Sequence, residues 1–449
     1  MTMRLKNAGA LRLLAAAALA IASLGAKAAL PIQHWVQPSG AKIYFVATDA
    51  LPIVDVQLDF DAGDRHDPPA QAGLASVTAE MLEKGVAAKG GEPALDENAV
   101  GEAWADLGAS FDAGAGSDRM SFSLRTLSRP DLLDRAVVLA AREIGEPAFP
   151  EHIWRRERER IVAGIKEANT KPGTVAGRAY AKAVYGNHPY GYEPTEETLA
   201  RIDVAAMRGF YARYVAPCRA KLSIVGALDR AQADRIAAAL LARLPASSDC
   251  GALTAVPEVA PLAAPKAERI PFASAQAHVL IGQPGYPRRD PDHFALTLGN
   301  YVLGGGGFVS RLTEEVREKR GLAYSVYSGF SPGLHAGAFT IGFQTRPDQA
   351  DAAVKVAREV LQKFVAEGPT PAELQAAKDN LIGGFPLLLD SNRKLVGNVA
   401  NIAWNDLPLD YLDTWRSRMN AVTVADVKAA FQRKLYPNDM VTVIVGAKP

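Results

Sequence analysis

The sequence predicts an α+β protein built from two homologous domains, each an antiparallel-rich mixed sheet with helices packed on one face. Three observations predict it. The end of the chain repeats an earlier stretch, strand-like runs alternate polar and apolar residues across Gly-containing turns, and amphipathic helical segments follow those turns.

The repeat keeps a constant offset. Val204, Ala205, Arg213, Pro217, Ile224, Val225, Gly226 and Ala227 recur as Val424, Ala425, Arg433, Pro437, Ile444, Val445, Gly446 and Ala447. Each copy reads as a helix, a proline-marked stop and a buried strand. Upstream, the segments from Ala109 and Ala323 both read strand, turn, strand, helix, with strand-like alternation over Met120–Leu124 and Ala338–Ile341. A period this long is a duplicated domain, not a solenoid.

Between the copies, residues 245–268 are rich in Pro, Ala and Ser without helical or strand period and read as a linker. At the start, Arg4, Lys6 and Arg12 precede the apolar run Leu13–Leu24 and the small-residue site Ala26-Lys27-Ala28. That is the pattern of a secretory signal peptide, bacterial in style, and points to the periplasm. The expected layout is a signal at 1–28, a first domain at 29–244, the linker at 245–268 and a second domain at 269–449. No later apolar stretch is long enough for a stable membrane span.

Without the signal the chain holds 46 Lys+Arg against 49 Asp+Glu, a net charge of −3. That balance argues against nucleic acid as a partner. The two cysteines, Cys218 and Cys250, cannot make a zinc-finger set. Export permits a disulfide between them, and two buried thiols fit the sequence equally. The seven histidines, His34, His66, His152, His188, His278, His293 and His335, are scattered. No two lie three or four residues apart, so no helix offers a His pair to a metal.

Two stretches carry a family resemblance. The run from Leu303 through Gly304, Gly305, Gly306, Gly307, Arg311, Arg317 and Tyr324 to Tyr327 resembles the C-terminal-half signature of the pitrilysin/insulinase zinc peptidases, the inverzincins that include the processing peptidases. Ala72-Gly73-Leu74-Ala75 with Met81–Gly85 resembles the frame around that family's zinc motif, and Asn187–Gly191 with Glu196–Leu199 matches a further family region. The resemblance implies a clam-like pair of domains around a cleft and a zinc metallopeptidase that hydrolyses peptides.

The zinc motif itself departs from the family. Active members carry His-x-x-Glu-His directly after Gly-Leu-Ala, two zinc ligands and the base that activates the water. Here the matching residues are Ser76 to Glu80. Ser76 and Glu80 stand where the ligands would be, and Ala79 replaces the base. The third family ligand is a Glu on a helix well downstream; the expected alignment puts Lys166 there, and a one-residue slip puts Glu167 there. The resemblance thus implies no metal bound by this chain. Active members also take the substrate as an added strand at a sheet edge. The matching strand, Ser110–Ala115, is Gly/Ala-rich, which marks either close backbone approach or a poor strand.

Arg317 and Tyr324 match the family's Arg/Tyr pair, seven residues apart. The resemblance implies that Arg317 binds a substrate carbonyl and that Tyr324 donates to the oxyanion. The glycines Gly304, Gly305, Gly306 and Gly307 lack the ending of a phosphate loop. They permit close approach to a substrate backbone or form a flexible connection, and the processing peptidase has a glycine-rich loop in its non-catalytic subunit. The combined expectation is a heterodimer subunit that completes the site of a homologous zinc-bearing partner, with an inert scaffold or peptide-binding protein as the alternative.

Overall fold

The computed structural model describes residues 31–245 and 250–446. The expected signal peptide lies outside them. The first half contributes β1 (Gln33–Val36), β2 (Lys42–Ala47), β3 (Ile53–Phe60), the short ribbon β4 (Gly85–Val86) and β5 (Leu95–Asp96), then β6 (Ser110–Ala115), β7 (Met120–Leu127) and β8 (Lys221–Gly226). The second half contributes β9 (Lys266–Ile270), β10 (Ala277–Pro284), β11 (Val326–Phe330), β12 (Ala338–Thr345) and β13 (Val441–Val445).

The two main sheets share one topology. The first runs β1-β2-β8-β3-β7-β6, the second β9-β13-β10-β12-β11. In each, one pair is parallel, β2 with β8 and β9 with β13, and the remaining pairs are antiparallel. The first differs only by its extra edge strand β1. The alternation read from the sequence is the burial pattern of β7, where Met120, Phe122 and Leu124 face the core. The helices starting at Pro130, Glu151, Pro172 and Val204 have counterparts starting at Ala350, Pro371, Asn392 and Val424, at the same offset as the sequence repeat.

Helices of its own half cover one face of each sheet, as expected. The other face is covered by a helix lent by the opposite half. The helix Pro172–Tyr185 packs on β10 and β13, and its counterpart Asn392–Trp404 packs on β3 and β8. Ala176, Tyr180 and Val184 form a small core with Ala338, Val441, Val443 and Val445. The Tyr180 hydroxyl donates to the Phe339 carbonyl at 2.6 Å and accepts from Thr340 at 3.0 Å. Its seat requires Gly282, where a Cβ would overlap both the Phe339 oxygen and the Tyr180 hydroxyl. On the reciprocal side, Lys221 donates to the carbonyls of Ala403 and Trp404 at 2.8 and 3.2 Å, satisfying the end of the lent helix.

The described part of the stretch expected as a linker runs mostly exposed, with a few anchoring points. Val259 is buried, and Glu258 accepts the Ala336 N–H at 2.7 Å. Strand β9 takes over at Lys266, inside the expected linker. Cys218 and Cys250 are bridged, with Cα atoms 6.0 Å apart, which ties the start of this segment to the first half.

One buried acid stands out in the first core. Glu143 accepts the Trp104 indole N–H at 2.6 Å. Burial pushes its pKa up to about 8, with nearby Glu83 adding to the rise against the lowering effect of that hydrogen bond. A carboxyl that holds its proton more tightly when folded stabilises the fold at low pH. That contribution is lost as pH rises from the ordinary carboxylate range toward 8.

Both features can be tested by substitution. Glu143→Gln keeps the acceptor for Trp104 but removes the titration. Relative to wild type it should gain on the order of 2 kcal/mol between pH 5 and pH 8, and parallel stability curves across that range would refute the assignment. Tyr180→Phe should cost about 1–2 kcal/mol by denaturant unfolding, and Gly282→Ala about 1–3 kcal/mol. An unchanged midpoint for both would mean the lent helix is not held this way.

Candidate functional site

The first half-site is built on helix α1 (Leu74–Leu82). Leu74, Ala75, Val77, Thr78, Ala79, Met81 and Leu82 are all buried, which leaves Ser76 and Glu80, one turn apart, on the accessible stripe. Gly73 opens the helix with φ +99°, and the N-terminal amides are capped by Asp67, which accepts from Gly73 at 2.7 Å and Ala75 at 2.9 Å. Burial and the adjacent Asp64 push the Asp67 carboxyl up to about 8. Asp64, raised by burial, accepts the Ser76 hydroxyl at 2.8 Å.

Helix α2 (Glu151–Ala168) crosses beside α1. Its Arg160 pairs with Glu80 and, at 2.6 Å, with Glu157. Burial resists ionisation of Glu157, but hydrogen bonds from Arg160 and Arg156 outweigh it and hold the pKa below the usual range. The residue the structure brings here is therefore Glu157, not Lys166. Lys166 lies nine residues further on, ~13 Å along the helix, and pairs with Glu196 at 2.9 Å. Glu167 pairs with Lys171 at 2.9 Å. The signal for Glu157 was Trp154, one turn earlier and fully buried, which fixes the inward face of α2.

This donor set does not fit zinc. Ser76 gives its proton to Asp64, Ala79 has no basic atom, and a guanidinium already neutralises Glu80 and Glu157. Among the described residues no group of three or more His, Cys, Asp or Glu is disposed to hold a metal ion.

Strand β6 is an edge strand, as expected. Its outward Ala113 N–H is already taken by the Glu83 carboxylate at 2.7 Å. Burial raises the Glu83 pKa despite that bond. An incoming strand would have to displace Glu83 to pair with this edge.

The second half-site is an exposed constellation around the four glycines. Two π-helical segments, Tyr301–Gly305 and Thr313–Glu318, flank the loop, a local widening common at functional sites. The glycines expected to bind substrate divide into two kinds. Gly304 is buried, and a Cβ there would lie 2.5 Å from the Ser328 amide of β11, so packing explains it. Gly306 is half-buried and donates its N–H to the Tyr301 carbonyl at 2.8 Å. A Cβ at Gly306 would stand 2.7 Å from that same oxygen, so this glycine closes the π-helical turn and its amide is not free for a substrate. Gly305 and Gly307 are exposed. Gly307 turns the chain with φ +61°. The Ser310 hydroxyl closes the loop onto the Gly307 carbonyl at 2.7 Å. The tip then presents Phe308 to solvent at 73% exposure.

Arg317 lies on the second π-helical segment. Its guanidinium carbon is 4.7 Å from the Phe308 ring centre and 4.9 Å from that of Tyr324. Tyr324 precedes edge strand β11 and is 80% exposed. The structure thus brings Arg317, Tyr324 and the loop together. Among the described residues no hydrogen bond, ion pair or ring contact joins them to Ser76, Ala79 or Glu80. No helix of the described residues is long and apolar enough to cross a membrane.

Comparison with known proteins agrees with this division. Residues 44–197 match the family model of insulinase (peptidase family M16), and residues 201–381 match that of the peptidase M16 inactive domain. An uncharacterised zinc protease of Streptomyces coelicolor is 27% identical over 91% of this chain and 88% of its own length. A non-peptidase homologue of Helicobacter pylori is 22% identical over 95% of this chain and 96% of its own. The crystal structure of a peptidase M16 inactive domain from Pseudomonas fluorescens superposes with a TM-score of 0.88 at 36% identity, covering 94% of this chain and 98% of that one. The chain belongs to peptidase family M16, the insulinase family, and is of its inactive-domain type.

Proposed function

We propose that this chain is the non-zinc subunit of a two-subunit zinc endopeptidase and lends Arg317 and Tyr324 to the site of a homologous, zinc-bearing partner. One observation carries the reading: an Arg and an exposed Tyr are held together on a surface, while the chain's own zinc-motif helix lacks both ligands and base. In the complex, Arg317 holds a peptide carbonyl with its planar set of N–H donors. The Tyr324 hydroxyl donates to the oxygen that gains charge as the carbonyl is attacked, which stabilises the transition state more than the ground state. The zinc and its activated water belong to the partner. Gly307, exposed and with nothing within 4 Å of where a Cβ would stand, leaves room beside the pair for an extended peptide.

The disulfide supports an exported protein, and with it the periplasm as the working compartment. The second reading, an inert scaffold or peptide-binding protein, is favoured by Glu83 occupying the β6 edge and by the relative named a non-peptidase homologue.

Three expected outcomes separate these readings. The chain alone carries far less than one zinc by elemental analysis and leaves a quenched peptide intact, while a mixture with a zinc-motif homologue from the same cell hydrolyses it. In that mixture, Tyr324→Phe lowers kcat about 10²–10³-fold, and Arg317→Ala lowers kcat/KM about 10–100-fold. Peptide binding without any change in the partner's turnover would leave only the scaffold reading.

A further inference from the structure

The Phe308 side chain is large, apolar and exposed, yet loop geometry fixes where it stands. Gly307 supplies the left-handed turn before it, and the Ser310 hydroxyl ties the loop shut behind it. The ring ends 4.7 Å from the Arg317 guanidinium carbon, with Tyr324 at 4.9 Å also against that group. The Arg317 Nε lies 3.1 Å from Glu318. Its two terminal nitrogens make no hydrogen bond to any described residue. An arginine left free on a surface loses several rotatable bonds' worth of entropy when it binds. A ring face attracts the cation without using any of its N–H donors. Phe308 therefore restrains the guanidinium and leaves its outer donors available.

We infer that Phe308 is a positioning residue, holding Arg317 in place by a ring–cation contact so that its terminal nitrogens stay free for a peptide carbonyl. This rests on the reading of Arg317 as a substrate-binding group. Phe308 itself forms no part of the core, so its replacement leaves the fold intact.

Two measurements test it. In the chain alone, modification of arginines by phenylglyoxal is followed residue by residue by mass spectrometry, with Arg346 as an exposed internal reference. Phe308→Ala should speed modification of Arg317 about three-fold or more, while Phe308→Tyr, which keeps the ring, stays near wild type. In the reconstituted pair, Phe308→Ala should lower kcat/KM about five-fold. Phe308→Tyr should restore it, and Phe308→Ala should add nothing in an Arg317→Ala background. Unchanged Arg317 reactivity in Phe308→Ala overturns the inference, as do effects of the two alanine variants that multiply. If instead Phe308→Ala unmasks Arg317 chemically but Arg317→Ala leaves turnover intact, the positioning contact stands and the peptidase reading is the one that fails.

Discussion

The structure depends on one constraint: each sheet buries both of its faces, and each half supplies helices for only one of them. The deficit is made good by exchange. Pro172–Tyr185 and Asn392–Trp404 occupy equivalent places in the repeat, and each covers the sheet of the other half. Neither half could expose its central strands without stranding apolar side chains such as Val443 or Val225 in water. The contact is specific as well as apolar. Tyr180 needs a glycine beneath it, and Lys221 needs the carbonyl end of the lent helix. The two edge strands next to the half-sites, β6 and β11, therefore belong to sheets tied together by this exchange.

On that body the two half-sites have diverged electrostatically. At α1 the chain has turned a place for a divalent ion into an ordinary ion-pair network. Two carboxylates, Glu80 and Glu157, would repel each other if left alone. Here Arg160, and not a metal, relieves that repulsion by pairing with both. The substitution also explains why Glu157 stays ionised despite its burial. At Arg317 the balance is reversed. The cation is bordered by rings and by Glu318, which engages only its Nε, so the hydrogen-bonding capacity of its outer nitrogens is unspent.

Much of this was legible in the sequence. The duplication was, because a strand–helix pattern repeated at fixed offset needs no knowledge of packing. Ser76, Ala79 and Glu80 were also legible, since the residues framing them persist. Other features were not. The helix exchange left no local trace: an amphipathic pattern says that a face is buried, not against which sheet. Glu157 hid in the unbroken charged run from Arg155 to Arg160, where charge alone hides the buried face and only Trp154 reveals it. The four glycines looked alike in sequence, and only the backbone of Tyr301 separates Gly306, which packs, from Gly307, which turns the chain. The pairing of Cys218 with Cys250 had two equal readings in the sequence, and only the fold, which sets the two Cα atoms 6.0 Å apart, decides between them.

An exposed cluster of this composition also limits what can cover it. Phe308 and Tyr324 would both gain by leaving water, and that gain favours any large partner surface. Burying Arg317 with them carries a heavy penalty unless its terminal N–H groups find acceptors. A purely apolar partner therefore fails at the centre of the patch, and a strongly acidic one wastes the rings around it. The surface that satisfies both is one that brings backbone carbonyls between apolar side chains. An extended peptide has that character, because its carbonyls recur at every residue and its side chains alternate in direction. The same geometry disfavours a helix, whose carbonyls are already engaged along its own axis.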